Sequence, residues 1–331
     1  MPNPVITGSQ LVTFVKTAFW DMWQIAYDEM KSRLAEVMEL AIPSDRRTEW
    51  YGYYETAPYP KRWPDGETIA SKNFQSRSFS VTNYRWGRRV EWSKDDRLDD
   101  LTKSLLDRAR DAGGHWATLE ERLYFQILMS TVDPDLLPAI PLSPDGVALF
   151  SATGPTGAAR FGVTGGNIVA TSGVASAAAI RTDLMTCLSR YRRFQDVEGQ
   201  PLWDDPTIEK GLVVMFNPVN IEVFNGAFLQ RVNAQAITTA TSNAGVTNLI
   251  MDSGIPVKLW PTQRITDNTW FVALRGARKK SVFSQTREPL QEYFATSDNS
   301  DTTRDTRTEY IQWESRGSAG VAVPYGLIHV A

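Results

Sequence analysis

Apolar residues recur at helical spacing in two long stretches of the chain, and between them lies a segment that fits neither a helix nor an ordinary loop. From about Gln10 to Leu40, the positions Leu11, Phe14, Val15, Ala18, Phe19, Met22, Trp23, Ala26, Tyr27, Met30, Leu34 and Val37 fall near a 3.6-residue period. This predicts an amphipathic helix that Thr7 or Ser9 can cap and Pro43 stops. Trp20 and Trp23 cannot share one narrow stripe, so the apolar surface is broad, and both a core helix and an arm docked on a partner fit it. The second pattern starts at Ser93, which with Asp96 forms a capping box, while Asp95 and Asp96 suit the positive end of the helix dipole. Leu98, Leu101, Leu105, Ala109, Ala112, Trp116, Leu119, Leu123 and Ile127 continue one face to about Met129, and Gly113-Gly114 either divides this run or kinks it.

Ser44 to Trp92 is far longer than the usual connection of about 4–6 residues. It is also too aromatic for a disordered segment, with Trp50, Tyr51, Tyr53, Tyr54, Tyr59, Trp63, Phe74, Phe79, Tyr84, Trp86 and Trp92. Phe79, Val81 and Tyr84–Trp86 among Ser, Thr and Arg give strand-like alternation, and Trp63-Pro64-Asp65-Gly66 reads as a turn. The expectation is a long two-stranded arm with Trp63–Gly66 near its tip and Phe79–Trp92 as the returning strand. At about 3.3 Å per residue, each side of about 20 residues spans ~65 Å. An isolated ribbon is marginal in water, so such an arm is expected to lie on another surface, most simply a neighbouring subunit.

Pro134, Pro138, Pro141 and Pro144 end the second helix, and the low-charge, Gly/Ala-rich stretch from Ser151 to Ala179 reads as a surface loop. Its glycines lack the strand, Lys-Ser/Thr and helix context of a phosphate cradle. A helix from Ala177 to about Phe194 carries Ile180, Leu184, Cys187, Leu188 and Tyr191 on one side; Arg190, Arg192 and Arg193 read as a solvated face or an intersubunit salt-bridge patch. Gly211–Phe216 is a buried strand, turned by Asn217-Pro218 into a short helix over about Val219–Leu229. After the polar stretch Gln230–Thr247 the chain is strand-rich. Strands are expected at Leu249–Met251, Pro256–Trp260, Thr269–Leu274, Ser281–Phe283, Leu290–Phe294, Glu309–Glu314 and Gly320–Val330.

Composition then narrows the chemistry. The 331 residues include one cysteine, Cys187, and two histidines, His115 and His329. That leaves little for thiolate zinc sites, disulfides or imidazole catalysis, and Cys187 on an apolar helix face reads as a buried, inert thiol. A net charge of −3 argues against a general nucleic-acid coat but leaves room for a local basic face. No apolar run reaches the roughly 18 residues of a membrane span, and the N-terminus lacks the form of a signal peptide. Asp95-Asp96 and Asp99-Asp100 are explained by helix-start preference, Asp204-Asp205-Pro206 by a turn, and Glu120-Glu121 by a solvent-facing helix position. No residues single out any of these as an acid/base pair.

The order of parts resembles the major capsid proteins of tailed bacteriophages, the Hong Kong 97 type of capsid fold, with the Mu-like major head subunits as the nearest flavour. The residues carrying the likeness are Val90–Arg97, where an arm re-enters a long helix through an acidic pair; Asp145–Ser151, similar to a Gly-x-x-Leu-Phe segment; Gly211–Pro218; Ser253–Val257; and Arg316-Gly317 with Gly320 before the last strand. The resemblance implies an α+β fold with residues 1–43 as N-terminal arm and helix and 44–92 as the extended loop. It further implies a peripheral domain with a long spine helix from 93–176 and 295–331, and an axial domain from 177–294. It implies a structural protein, not an enzyme, with no cofactor. Copies would form the pentamers and hexamers of an icosahedral shell, enclosing double-stranded DNA without sequence-specific binding and without a membrane. Scaffolding, portal and cement proteins are the implied partners, and the virion, assembled in the host bacterial cytoplasm, is the implied location. The aromatic arm residues from Trp50 to Trp86 become intersubunit contacts on this reading. The helix begins within the first ten or so residues, so scaffolding, where used, is expected as a separate protein. Lys61 and Lys72 lie in the arm, but nothing selects them for the Lys–Asn crosslinks of some relatives. Two other readings are an encapsulin-like shell around a cargo enzyme and a glycan-active enzyme with Trp platforms; the second lacks a selected carboxylate pair.

Overall fold

The computed structural model describes residues 8–54, 62, 76–93, 104–174, 176–228, 254–295, 300 and 305–331. In chain order these form α1 (Gly8–Leu34), β1 (Met38–Pro43), β2 (Thr48–Tyr54), β3 (Ser76–Thr82), β4 (Tyr84–Ser93), α2 (Ser104–Ala117), α3 (Leu119–Met129) and β5 (Ile168–Val169). They continue with α4 (Ala177–Arg193), α5 (Asp205–Glu209), β6 (Leu212–Phe216), α6 (Ile221–Phe228), β7 (Val257–Pro261), β8 (Trp270–Leu274), β9 (Val282–Ala295), β10 (Thr308–Val321) and β11 (Leu327–Val330).

A five-stranded sheet of order β5-β11-β8-β6-β7 is covered on both faces. Successive strand side chains point to opposite faces. Accordingly Leu212, Val214 and Phe216 pack with Ile180, Leu184 and Tyr191 of α4, whereas Val213 and Met215 pack with Leu123, Tyr124 and Phe125 of α3. This two-sided burial explains the continuous apolar runs of β6 and β8, which are buried along their whole length. The α4 face matches its sequence pattern, with Ile180, Leu184, Cys187, Leu188 and Tyr191 all buried. Ser176 caps that helix by accepting from the Ala179 amide (3.2 Å).

The second sheet, β1-β9-β10-β4, joins distant parts of the chain. β9 and β10 are each 14 residues long and antiparallel. The two short strands expected at Ser281–Phe283 and Leu290–Phe294 are therefore one element, and β10 runs from Thr308 to Val321 rather than stopping at Glu314. Gly320 belongs to its end, and a tight turn over Pro324–Gly326 separates it from β11. The helix predicted to Leu40 ends at Leu34, because Met38, Leu40 and Ile42 alternate along β1, which pairs in parallel with β9. Leu34, Val37 and Met38 are all buried, so core positions at helical spacing continue past the true end of the helix.

Two further expectations change. Residues 151–179 form a surface loop only in part: 152–159 are mostly exposed, whereas Arg160, Val163, Asn167 and Val169 are buried. Arg160 is 2% exposed, ion-paired to Asp145 (2.8 Å) and donating to the Ala148 and Leu149 carbonyls (both 2.9 Å). Asn167, also buried, donates to the carbonyls of Leu149 (2.8 Å), Pro324 (3.1 Å) and Leu327 (3.3 Å). An irregular segment crosses the interior only when its backbone polar groups find partners, and these two side chains supply them. The second helical run breaks not at Gly113-Gly114 but at Thr118, between α2 and α3. Its proposed capping box at Ser93–Asp96 extends beyond the described residues, as do Leu249–Met251 and Gln230–Thr247.

Gly113 instead lets two helices touch. A β-carbon there would stand 2.5 Å from the Phe19 carbonyl and 3.2 Å from the Trp23 amide of α1. The crossing places Phe19 flat on Trp313 of β10, with ring centroids 4.2 Å apart, within a cluster that includes Val12, Val15, Trp92, Leu105, Ala109 and Ile311. Gly113→Ala is predicted to lower unfolding stability by about 1–3 kcal/mol, the usual cost of overpacking. A denaturation midpoint equal to that of the parent chain would contradict this packing.

Candidate assembly surface

The arm leaves the body as an antiparallel hairpin, β2 paired with β3 from Thr48↔Thr82 to Tyr54↔Ser76. It is shorter at its base than expected. Residues 84–93 do not return along the arm; they form β4 and pair with β10, from Tyr84↔Gly317 to Ser93↔Thr308. The switch falls at Asn83.

Asn83 is buried and fully bonded. Its Nδ2 donates to Ser44 Oγ (2.8 Å) and the Arg46 carbonyl (2.7 Å), and its backbone amide donates to the Arg47 carbonyl (2.8 Å). Its Oδ1 accepts from Gln285 Nε2 (2.7 Å), and the Gln285 Oε1 accepts from the Tyr51 hydroxyl (2.7 Å). Ser44 Oγ completes the set by donating to Glu49 Oε2 (3.1 Å). Burial pushes the Tyr51 hydroxyl up to about 12, keeping it a donor, with Glu49 adding to the shift. An aromatic group closes over this network: Tyr51 and Phe79 stack at 5.4 Å, and Tyr51 meets Phe283 edge-on at 5.1 Å.

These contacts sort the expected arm residues. Tyr51 and Phe79 pack on the chain's own β9. Tyr84 and Trp86 pack on the core beneath β10, and the Trp86 indole donates to the Leu136 carbonyl (3.2 Å). Their side chains are held within the chain because they belong to the hairpin's base and to β4 rather than to the projecting part. Trp50 is 64% exposed. The side chains of Tyr53 and Tyr54, together with Tyr59, Trp63, Phe74 and the expected tip at Trp63–Gly66, lie outside the described residues. Sequence reasoning missed Ser44, Asn83 and Gln285. Their signal was an Asn and a Gln inside strand-like runs, where such residues are disfavoured unless hydrogen-bonded.

A second exposed apolar feature lies on α1. Phe14, Met22 and Ile25 are exposed, Ile25 by 66%, and at 100° per residue they share one side of the helix. The opposite side holds Val12, Val15, Phe19, Met30 and Leu34 in the core. The core-helix reading thus holds for one face, while Phe14, Met22 and Ile25 leave an exposed apolar strip on the other. Beside it a cavity of about 300 Å³ is lined by Trp20, Trp23, Tyr27, Trp86, Trp116 and Glu120.

The structure gives the titratable groups structural roles. Cys187 is buried, and burial pushes its thiol well up. Glu120 and Glu121 do not face solvent as expected. Burial raises both carboxyls, Glu120 accepting from Ser284 Oγ (3.0 Å) and Glu121 lying 4.0 Å from Arg264. Arg190 is not on a solvated face: it donates to the Gly166 and Ile168 carbonyls, while Arg192 pairs with Asp205 at 3.7 Å. His329 stacks on Phe271 at 4.8 Å, and burial lowers its pKa. Asp204 and Asp205 open α5, as a turn-forming pair would. Among the described residues no group of His, Cys, Asp or Glu is arranged to hold a metal ion, and no helix is long and apolar enough to cross a membrane.

Gln285→Ala would remove the donor to Asn83 Oδ1 and the acceptor of the Tyr51 hydroxyl, and each orphaned buried group costs about 1–3 kcal/mol. The predicted outcome is faster amide hydrogen exchange in β2 and β3, with protection in β6 and β8 retained. Equal loss in all four strands would show that the network does not govern the hairpin separately.

Compared with known proteins, residues 12–151 match the family described as Mu-like prophage major head subunit gpT. No curated protein sequence matches the chain. Among solved structures, the mature capsid of bacteriophage PhiM1 aligns with a TM-score of 0.54 at 12% identity, covering 89% of this chain and 85% of that one. The capsid of cyanophage P-SCSP1u aligns at 0.53 and 13% identity, covering 88% and 85%. The capsid of Myoviridae phage XM1 aligns at 0.52 and 12% identity, covering 91% of each. These matches establish a shared α+β capsid fold of the Hong Kong 97 type.

Proposed function

We infer that this chain is the major capsid (head) protein of a tailed bacteriophage, a structural subunit whose copies assemble into an icosahedral shell. The observation that carries this is a capsid fold over nine-tenths of the chain, together with a head-subunit family match spanning α1, the hairpin and α2–α3. The protein works by association rather than by catalysis: its buried carboxyls, histidine and thiol are held in packing and hydrogen-bond roles. The shell encloses double-stranded DNA in the virion, is built from pentamers and hexamers in the host bacterial cytoplasm, and works with portal, scaffolding and cement proteins.

Strand order supports a division that adjusts the expected boundaries. The N-terminal arm and helix keep their boundary at 43, where the described residues hold α1 and β1, and the extended loop ends at Asn83 rather than Trp92. The five-stranded sheet with α4 and α6 is the axial domain and takes in β11, while the four-stranded sheet with α2 and α3 is the peripheral domain and takes in β9. Within the loop, Trp50 is the intersubunit anchor, supported by its exposure beside a hairpin base locked to the body. Tyr53, Tyr54, Tyr59, Trp63 and Phe74 extend that contact toward the tip. Tyr51, Phe79, Tyr84 and Trp86 hold the loop in place.

Sedimentation and electron microscopy of the purified chain test this reading. Capsomers or closed shells are expected, and a compact monomer under all conditions would overturn it. Trp50→Ala is expected to raise the concentration needed for assembly by about 30-fold, the equivalent of ~2 kcal/mol for a buried interface Trp, without changing subunit stability. Unaltered assembly would remove Trp50 from the interface.

A further inference from the structure

The chain carries a net charge of −3, yet the connection from β8 to β9 reads Arg275-Gly276-Ala277-Arg278-Lys279-Lys280, four cations in six residues. The fold brings two more to the same place. Lys258 of β7 and Arg275 share one carboxylate oxygen, Glu36 Oε1, at 2.9 and 3.2 Å. The Lys210 side chain lies against the backbone at Gly276, where a β-carbon would stand 2.6 Å from its Cβ. Lys258, Arg275 and Lys280 thus meet at Glu36, while Lys210, which also faces Asp204, and the loop residues Arg278 and Lys279 adjoin them.

Their partners leave most of this charge uncompensated. Lys280 Nζ donates to two backbone carbonyls, of Glu36 (2.7 Å) and Arg275 (2.9 Å). Burial and the nearby Arg275 guanidinium both lower its pKa, while Glu36 opposes them. Arg278 and Lys279 are exposed and pair with no acid among the described residues. Ala277 is buried in the core and Lys280 ties the loop to Arg275 and to the end of α1, so the cations are presented from a fixed backbone. Crowding like charges in this way costs free energy unless a polyanion supplies the missing counter-charge.

We propose that Lys210, Lys258, Arg275, Arg278, Lys279 and Lys280 form a polyphosphate-binding face that contacts the backbone of packaged double-stranded DNA and therefore lines the inside of the shell. The proposal rests on the capsid reading above. Duplex DNA fits better than an acidic protein segment, because none of the large exposed apolar side chains of the described residues lies at 205–210, 256–260 or 275–280. Protein interfaces rely on such anchors, whereas phosphate contacts do not. Recognition of this kind is independent of base sequence.

The test compares the full chain with R278Q/K279Q. Binding of the unassembled subunit to short DNA duplexes is measured against salt, and shell formation is followed by sedimentation. The expected result is a log–log salt slope smaller by about 2 for the variant, since each phosphate contact contributes about 0.9. The loss should be equal for duplexes of unrelated sequence, with shell formation unchanged. The proposal is overturned if the parent chain binds no duplex at low salt, or if the slope is unchanged. It is also overturned if the variant binds DNA normally but no longer forms shells, which would make the cluster a protein interface. A parent chain that stays a compact monomer under all conditions while the slope falls as expected would instead overturn the capsid reading and leave the basic face standing.

Discussion

The hydrogen-bonded contact between Asn83 and Gln285 sets the geometry of this subunit. A two-stranded ribbon has too little buried surface to hold its own direction in water. Here its direction comes from the base, where Asn83 ends one strand, begins the next and binds Gln285 of β9 (2.7 Å), while Ser44 and Tyr51 complete the network. Buried amides left half-bonded would be destabilising, but these are satisfied, so the junction can be both polar and rigid.

The body that receives this junction is built for stiffness. β9 binds the hairpin base through Gln285 and Phe283, and it pairs with both β1 and β10. β10 in turn carries Trp313, on which Phe19 of α1 stacks. A force on the arm therefore passes into a sheet rather than a loop. α1 meets α2 closely at Gly113 and leaves Phe14, Met22 and Ile25 exposed, so the helix that braces the subunit also offers an apolar surface. An assembling subunit needs this pairing of a rigid interior with unsatisfied outer surfaces, because association gains most when the contacting groups are already ordered.

Much of this was legible from residue patterns, for identifiable reasons. Helix α4 follows its helical periodicity, and β6 and β8 their continuous apolar runs, because hydrophobic burial alone decides them; Cys187 was readable as inert for the same reason. The arm was visible as an aromatic segment too long for a loop. Less legible were elements decided by hydrogen bonding across long sequence distances. Within residues 145–169, the buried anchors Arg160 and Asn167 meet backbone carbonyls, although hydropathy counts both residues as polar and exposed. The end of the hairpin at Asn83 depends on β4 finding a partner more than 200 residues later, in β10. β9 was read as two strands because Arg287-Glu288-Pro289 interrupts its apolar pattern at partly exposed positions, although the pairing with β10 resumes beyond it. The basic loop at 275–280 was present in the sequence, but its meaning depends on Lys210 and Lys258 arriving from other elements.

The central claim is that a hairpin fixed at Asn83 carries Trp50 onto a neighbouring subunit. A single-particle reconstruction of the assembled particle tests it directly, by the surroundings of the Trp50 side chain. Trp50 is expected to be buried against another copy of the chain, with β2 and β3 still paired and still bound to Gln285 of their own subunit. A shell in which Trp50 remains open to solvent, or in which the hairpin has left Gln285, would contradict it.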